Sequence, residues 1–133
     1  MRGIIIPVLL ASVLAAASLQ GMEKLNRGVA ALTRGRGQVF VSWRLLQSDP
    51  LDAAFNVYRR DLLGEKVEKL NQAPVRDRTC WLDSTVTVGA LYRYHVCTVV
   101  AGQEGEASES FFVRAFPENR PYMQILMQGD YAA

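Results

Sequence analysis

The sequence predicts an all-β chain, an antiparallel two-sheet sandwich of about seven strands. Three observations predict it. From residue 25 onward, short segments alternate apolar and polar residues with a period of two, the pattern of strands half-buried against a core. Gly, Pro, Asp and Ser fall between those segments, and each favours turns for a definite backbone reason. No stretch of this body repeats its apolar residues at helical spacing.

The elements follow in order. A weak first strand is expected from about Leu25 to Leu32, ended by the Gly35-Arg36-Gly37 turn. The second, from Gln38 to Leu45, sets Val39, Val41, Trp43 and Leu45 on one face. Gln47-Ser48-Asp49-Pro50 is a turn. Ala54 to Arg59 sets Phe55 and Val57 inward, Asn56 and Tyr58 outward. Leu63-Gly64-Glu65-Lys66 reads as a hairpin turn, and short strands are expected near Val67 and Trp81. In the latter, Cys80 and Leu82 form the expected apolar face. Leu91 to Val100 points Tyr92, Tyr94 and Val96 inward, with Arg93, His95 and Cys97 opposite. A hairpin at Gly102-Gln103-Glu104-Gly105 leads to a last strand, Ser108 to Val113. This strand count is that of an immunoglobulin-like or fibronectin type III sandwich.

The chain has 133 residues, 50% of them hydrophobic and 21% charged, with two cysteines. This balance excludes a disordered chain, a collagen and a disulfide-dense miniprotein. Fifteen Lys and Arg against thirteen Asp and Glu give a net +2 spread along the length, whereas nucleic-acid binding needs a clustered basic face. Arg2 followed by an uncharged run from Ile4 to Ala17, closing on Ala15-Ala16-Ala17, predicts a secretory signal over residues 1–17. The run is shorter than the roughly 20 residues that span a bilayer. The expected product is exported, secreted or periplasmic, and free of the membrane after cleavage. It comprises a sandwich over 18–115 and a linker or tail over 116–133. Export permits a disulfide, but Cys80 and Cys97 fall on opposite faces by strand parity, which predicts that they stay unbridged.

No residue is singled out as catalytic, cofactor-binding or metal-ligating. Trp43 is expected in the core. Tyr92 or Tyr94 is expected to form a tyrosine corner, its hydroxyl bonded to nearby backbone. His95, the single histidine, lies on a polar strand face with no partner at zinc-ligand spacing. Glu104, Glu106 and Glu109 lack the spacing of a calcium loop and read as a solvated hairpin tip. Arg34 and Arg36 make a basic turn, most simply solubilising, that suits an acidic sugar polymer. Tyr58, Trp81 and Tyr122 are candidates to stack on sugar rings, and Trp81 and Tyr122 more simply pack against the core or a neighbouring domain.

Specific strings narrow the reading. Met22-Glu23-Lys24-Leu25-Asn26-Arg27-Gly28 is followed by Ser42-Trp43-Arg44-Leu45-Leu46, then Asp49-Pro50, then Phe55-Asn56-Val57-Tyr58-Arg59. Leu82-Asp83 and Pro121-Tyr122 come later. In order and spacing these resemble the opening of the rhamnogalacturonan lyases of polysaccharide lyase family 11. The resemblance covers about residues 22–123. It implies a small fibronectin-like β-domain that follows a signal peptide and leads into a large catalytic β-propeller. That propeller holds calcium and the catalytic cleft, so none of the family's catalytic or calcium-binding residues has a position here. The resemblance thus implies a non-catalytic fragment without a cofactor of its own, whose partner is the propeller. A stand-alone module holding pectic polysaccharide, or a structural sandwich, is the alternative. Arg120-Pro121-Tyr122-Met123-Gln124-Ile125-Leu126-Met127 reads as a linker entering a further strand, and is expected to be disordered or sticky when nothing pairs with it.

Overall fold

The computed structural model describes residues 25–120 and Tyr122. Eight strands form two antiparallel sheets. The strands are β1 (Ala30–Gly35), β2 (Gln38–Ser42), β3 (Ala54–Asp61), β4 (Val67–Lys69), β5 (Cys80–Asp83), β6 (Leu91–Val100), β7 (Gln103–Ala107) and β8 (Phe111–Arg114). One sheet has the order β1-β2-β5. The other runs β4-β3-β6, with β7 and β8 both paired to β6. The signal segment and residues 123–133 lie outside the described residues.

Alternation dictates the layering. Val39 and Val41 of β2, Phe55 and Val57 of β3, and Tyr94 and Val96 of β6 are fully buried between the sheets. Trp43 packs on Phe55 with ring centroids 5.5 Å apart, in the core as expected. Tyr92 makes the predicted corner: its hydroxyl oxygen accepts the Thr87 N–H at 2.9 Å.

Four details differ from the sequence reading. The second strand ends at Ser42, and Leu45, expected on its apolar face, is 61% exposed. The first strand starts at Ala30, because Gly28 takes a φ of 57° and turns the preceding segment out of line. β7 occupies the stretch expected to be a hairpin at Gly102-Gln103-Glu104-Gly105, and a break separates it from β8, which answers to the expected last strand, so the strands are eight. At the break Ser108 donates its N–H to the Val96 carbonyl (2.8 Å) while its Oγ accepts the Val96 N–H (3.0 Å), so a side chain replaces a ladder carbonyl. In β5 the faces are exchanged. Asp83 is buried and Trp81 packs against the core, while Leu82 is 46% exposed and Cys80 turns outward beside it. Parity reasoning put the aliphatic residue inside; the carboxylate wins because the interior holds its partners.

Beyond β8 the backbone crosses to the other sheet. Arg36 donates its N–H to the Pro117 carbonyl (3.2 Å), and Arg120 donates to the Thr33 carbonyl (3.1 Å). Residues 117–120 therefore lie along the outer edge of β1. The approach requires glycine: a Cβ on Gly35 would sit 2.8 Å from the Pro117 carbonyl oxygen.

Candidate functional site

Charged and polar side chains gather at three places, and an apolar groove makes a fourth. The first lies between the sheets. Arg59 of β3 points inward and donates to Asp83 Oδ2 at 2.8 Å and to Thr85 Oγ1 at 2.9 Å, and it pairs with Glu68 of β4. Its guanidinium stands 4.9 Å over the Tyr92 ring. Tyr94 donates its hydroxyl to Asp83 Oδ2 at 2.8 Å, and the Thr85 N–H reaches Oδ1 at 3.0 Å. Burial opposes the charge on Arg59, but the Glu68 bond and the Asp83 charge outweigh it and raise its pKa. Burial first, then the Asp83 charge, pushes the Tyr94 phenol up. Thr85 Oγ1 also donates to Asp83 Oδ1 at 2.8 Å, so Asp83 has no lone pair left to abstract a proton, and the cluster ties the two sheets together.

The second place is one end of the sandwich. Arg27 pairs with Asp49, donates to Thr98 Oγ1 at 2.9 Å, and lies 5.3 Å over the Phe55 ring. Asp49 Oδ2 also accepts the Leu46 N–H at 2.8 Å. Burial by itself would raise the Asp49 pKa; the Arg27 hydrogen bond, the Leu46 amide and the Arg27 charge together hold it below the usual range. The resemblance strings thus earn their places structurally: Arg27 and Asp49 pin the β2–β3 loop.

The third is the outer face of the larger sheet. The rings of Tyr58 and His95 stack, 5.1 Å apart and 8° from parallel. Glu104 accepts the Tyr58 hydroxyl at 2.8 Å and Asn56 Nδ2 at 3.0 Å. Glu104 is exposed to solvent, as expected of this hairpin, but is also bonded back to the sheet. Its bonds to Tyr58 and Asn56 lower its pKa. Burial, with Glu104 adding to it, pushes Tyr58 up to about 12 and the Cys97 thiol up to about 11. Burial lowers His95, with the Glu104 charge pulling the other way. A stacked histidine and two unreactive acids form a packed surface rather than a proton relay.

Cys80 and Cys97 are both free thiols, on the outward faces of different sheets. The geometry agrees with the expectation that they stay unbridged, although only Cys97 sits on the face assigned to it. Trp81 packs against the core under Arg78, whose guanidinium is 5.8 Å from its ring. Tyr58 is engaged, and Tyr122 remains 68% exposed. Among the described residues, no group of three or more His, Cys, Asp and Glu is placed to hold a metal ion, and no helix is long and apolar enough to cross a membrane.

The groove lies between the edges of β1 and β8 and encloses about 370 Å³. Leu32, Phe111, Phe112, Phe116 and Tyr122 line it, with Arg114 and Arg120 at its mouth. Arg120 lies 3.8 Å over the Phe116 ring. Sequence reasoning missed this groove. Its signal was the run of aromatic residues from Phe111 to Phe116, too dense for a plain edge strand.

Comparison with known proteins adds the relationship. Residues 20–114 match the family model described as the rhamnogalacturonan I lyases beta-sheet domain. Rhamnogalacturonan endolyase YesW of Bacillus subtilis (strain 168) is 42% identical over 96 residues, which are 72% of this chain and 14% of that protein. Rhamnogalacturonan exolyase YesX of the same organism is 34% identical over 98 residues, 74% of this chain and 14% of that protein. The solved structure of YesW has a TM-score of 0.56 at 43% identity, covering 72% of this chain and 15% of that one. An Fn3-like protein from Clostridium thermocellum, 21% identical with a TM-score of 0.56 over 74% of this chain and 93% of its own, shows the fold alone. The chain spans about a seventh of the length of the curated relatives it matches.

Proposed function

The chain belongs to the family of rhamnogalacturonan I lyase β-sheet domains, and from that premise we propose that it acts as the non-catalytic β-domain of a secreted rhamnogalacturonan lyase in pectin degradation. One observation carries the reading. The stretch at 42% identity to YesW is a complete fibronectin type III-like sandwich here, yet only 14% of that enzyme. Elimination at a uronic acid needs a base beside the proton α to the carboxylate and a cation for the developing charge. In this sandwich Asp83, Asp49 and Glu104 are each committed to structural hydrogen bonds. The chemistry then belongs to a catalytic body, for which the resemblance implies a calcium-dependent propeller, and this domain supports that body.

The test is a lyase assay. The purified chain incubated with rhamnogalacturonan I should release no unsaturated uronide, whereas YesW in the same buffer should. Release by the chain alone overturns the reading. Export is tested by N-terminal sequencing of protein from the medium or periplasm, expected to begin at Ser18; retention of Met1 in the cell would remove that part.

A second reading has one observation in its favour. Tyr122 stands exposed beside Arg114 and Arg120 in a single groove, a pairing of aromatic ring and cation that fits an acidic sugar polymer. Retardation of the chain in gels containing rhamnogalacturonan, abolished by Tyr122→Ala, would favour a binding module. Unretarded migration excludes it.

A further inference from the structure

An antiparallel sheet with one solvated face turns apolar side chains inward and polar ones outward. The three-stranded sheet departs from that rule. Leu32, Phe40 and Leu82 stand opposite one another across β1, β2 and β5. All three lie on the face away from the core, since Ala31, Val39, Val41 and Asp83 occupy the inward positions. The row continues into the groove, because Leu32 also lines it. There Phe112, 51% exposed, and Tyr122 extend the apolar surface around the edge of the sandwich. The last described residues lie at this place, with residues 117–120 along the edge of β1 and Tyr122 in the groove.

We propose that this continuous surface, the outer face of β1-β2-β5 together with the groove beside β1, is where the catalytic body of a rhamnogalacturonan lyase docks. The inference rests on the function proposed above. Three arguments select the occupant. A contiguous surface of leucine and phenylalanine matches the apolar core of a protein interface, whereas a sugar needs hydrogen-bonding side chains along the floor. The last described residues, 117–120 and Tyr122, lie on this surface, so a body joined to the same polypeptide just beyond them would meet it at high effective concentration. The rim carries Arg34, Arg36 and Arg114, for which no ion pair is formed among the described residues. A two-fold contact between copies would use the same patch twice and bring like charges together. A partner with an acidic rim is favoured instead.

The test mixes the full chain with YesW from which the matched 96 residues are deleted, at about 100 µM to stand in for covalent attachment. Hydroxyl-radical labelling then reads individual side chains. Labelling of Phe40, Leu82 and Phe112 should fall at least about threefold, as expected for residues shut off from water. Leu63, in the turn before β4, and Val67, in β4 at the far edge of the larger sheet, should label as before. Leu82→Lys should abolish the protection and Leu63→Lys should not; both positions are exposed, and the urea midpoint of each variant checks that it folds. Protection centred on Leu63 and Val67, or binding indifferent to Leu82→Lys, overturns this face and leaves the proposed function standing. Protection that the chain alone develops with concentration assigns the face to a second copy and overturns the chosen occupant. No protection at any residue overturns both the face and the supporting role.

Discussion

The outer faces of the two sheets start from the same alternation and end in opposite chemistry. At the centre of the larger sheet the outward polar groups have partners on their own face. The Val57 N–H reaches Asn71 Oδ1 at 2.7 Å, Asn71 Nδ2 reaches Asn56 Oδ1 at 2.9 Å, and Asn56 and Tyr58 converge on Glu104. On the smaller sheet Leu32, Phe40 and Leu82 form an apolar row that ends in the groove beside β1. The first face is finished by the sequence of the sandwich itself. The second resembles one side of an interface. The difference teaches that outward polarity belongs to faces that meet water alone, so a break in it locates a contact.

The largest effect is expected where both faces are held back to back. Asp83→Ala strips Arg59 of its inter-sheet partner and leaves the Tyr94 hydroxyl and the Thr85 N–H without an acceptor. Removing one member of a buried pair costs about 3–5 kcal/mol. Urea unfolding should show that loss; a change under about 1 kcal/mol, the worth of an ordinary hydrogen bond, would mean that apolar packing alone holds the sheets. Glu104→Ala comes next, at about 1 kcal/mol for its exposed hydrogen bonds. It should also bring the Tyr58 phenol down from about 12, read by ultraviolet titration. An unmoved Tyr58 would assign the whole shift to burial.

The third effect is a pH slope. The folded-state pKa of His95 is lowered by burial, so below its unfolded value of about 6.5 the unfolded chain binds the extra proton. Stability should therefore fall as pH drops from 7 toward 5. Asp49 and Glu104 are depressed carboxylates, whose contribution persists through that window and fades only below about pH 4. His95→Gln should flatten the 5-to-7 slope and leave the acid limb in place. Equal slopes in both proteins would place the titration elsewhere.

The sequence carried the architecture because alternation and turn residues are local. Val39, Val41, Phe55, Val57, Tyr92 and Tyr94 were all assigned inward and are buried. It misled at β5, where Leu82 and Asp83 exchanged places. That outcome depends on Arg59 and Tyr94, 24 and 11 residues away, and no local pattern reports a partner at that distance. The engagement of Glu104 was hidden for the same reason, since Asn56 lies 48 residues off. The groove needs two strand edges from different sheets, with residues 117–120 laid across them. The resemblance strings were legible as a family mark, but their physical meaning, an Arg27–Asp49 pin, emerged only in three dimensions.

The smallest expected effect bears most directly on the contrast between the faces. Leu82→Ser removes an aliphatic side chain that is 46% exposed in the middle of a strand. Were the row Leu32–Phe40–Leu82 a second core holding the small sheet together, the loss would approach the 2–5 kcal/mol of a large-to-small core substitution. As a surface awaiting a partner, it should cost no more than about 0.5 kcal/mol in the isolated chain, the range of surface substitutions. The same change should cut binding of an apolar dye, since the exposed patch shrinks. The matched substitution on the other face, Tyr58→Ser, deletes both the stack on His95 and the bond to Glu104, and should cost more than Leu82→Ser while leaving dye binding unchanged. Urea midpoints and dye titrations of the two variants therefore separate the roles. A Leu82→Ser loss equal to or larger than that of Tyr58→Ser would show that the apolar row supports the fold, and that the two faces differ in composition without differing in purpose.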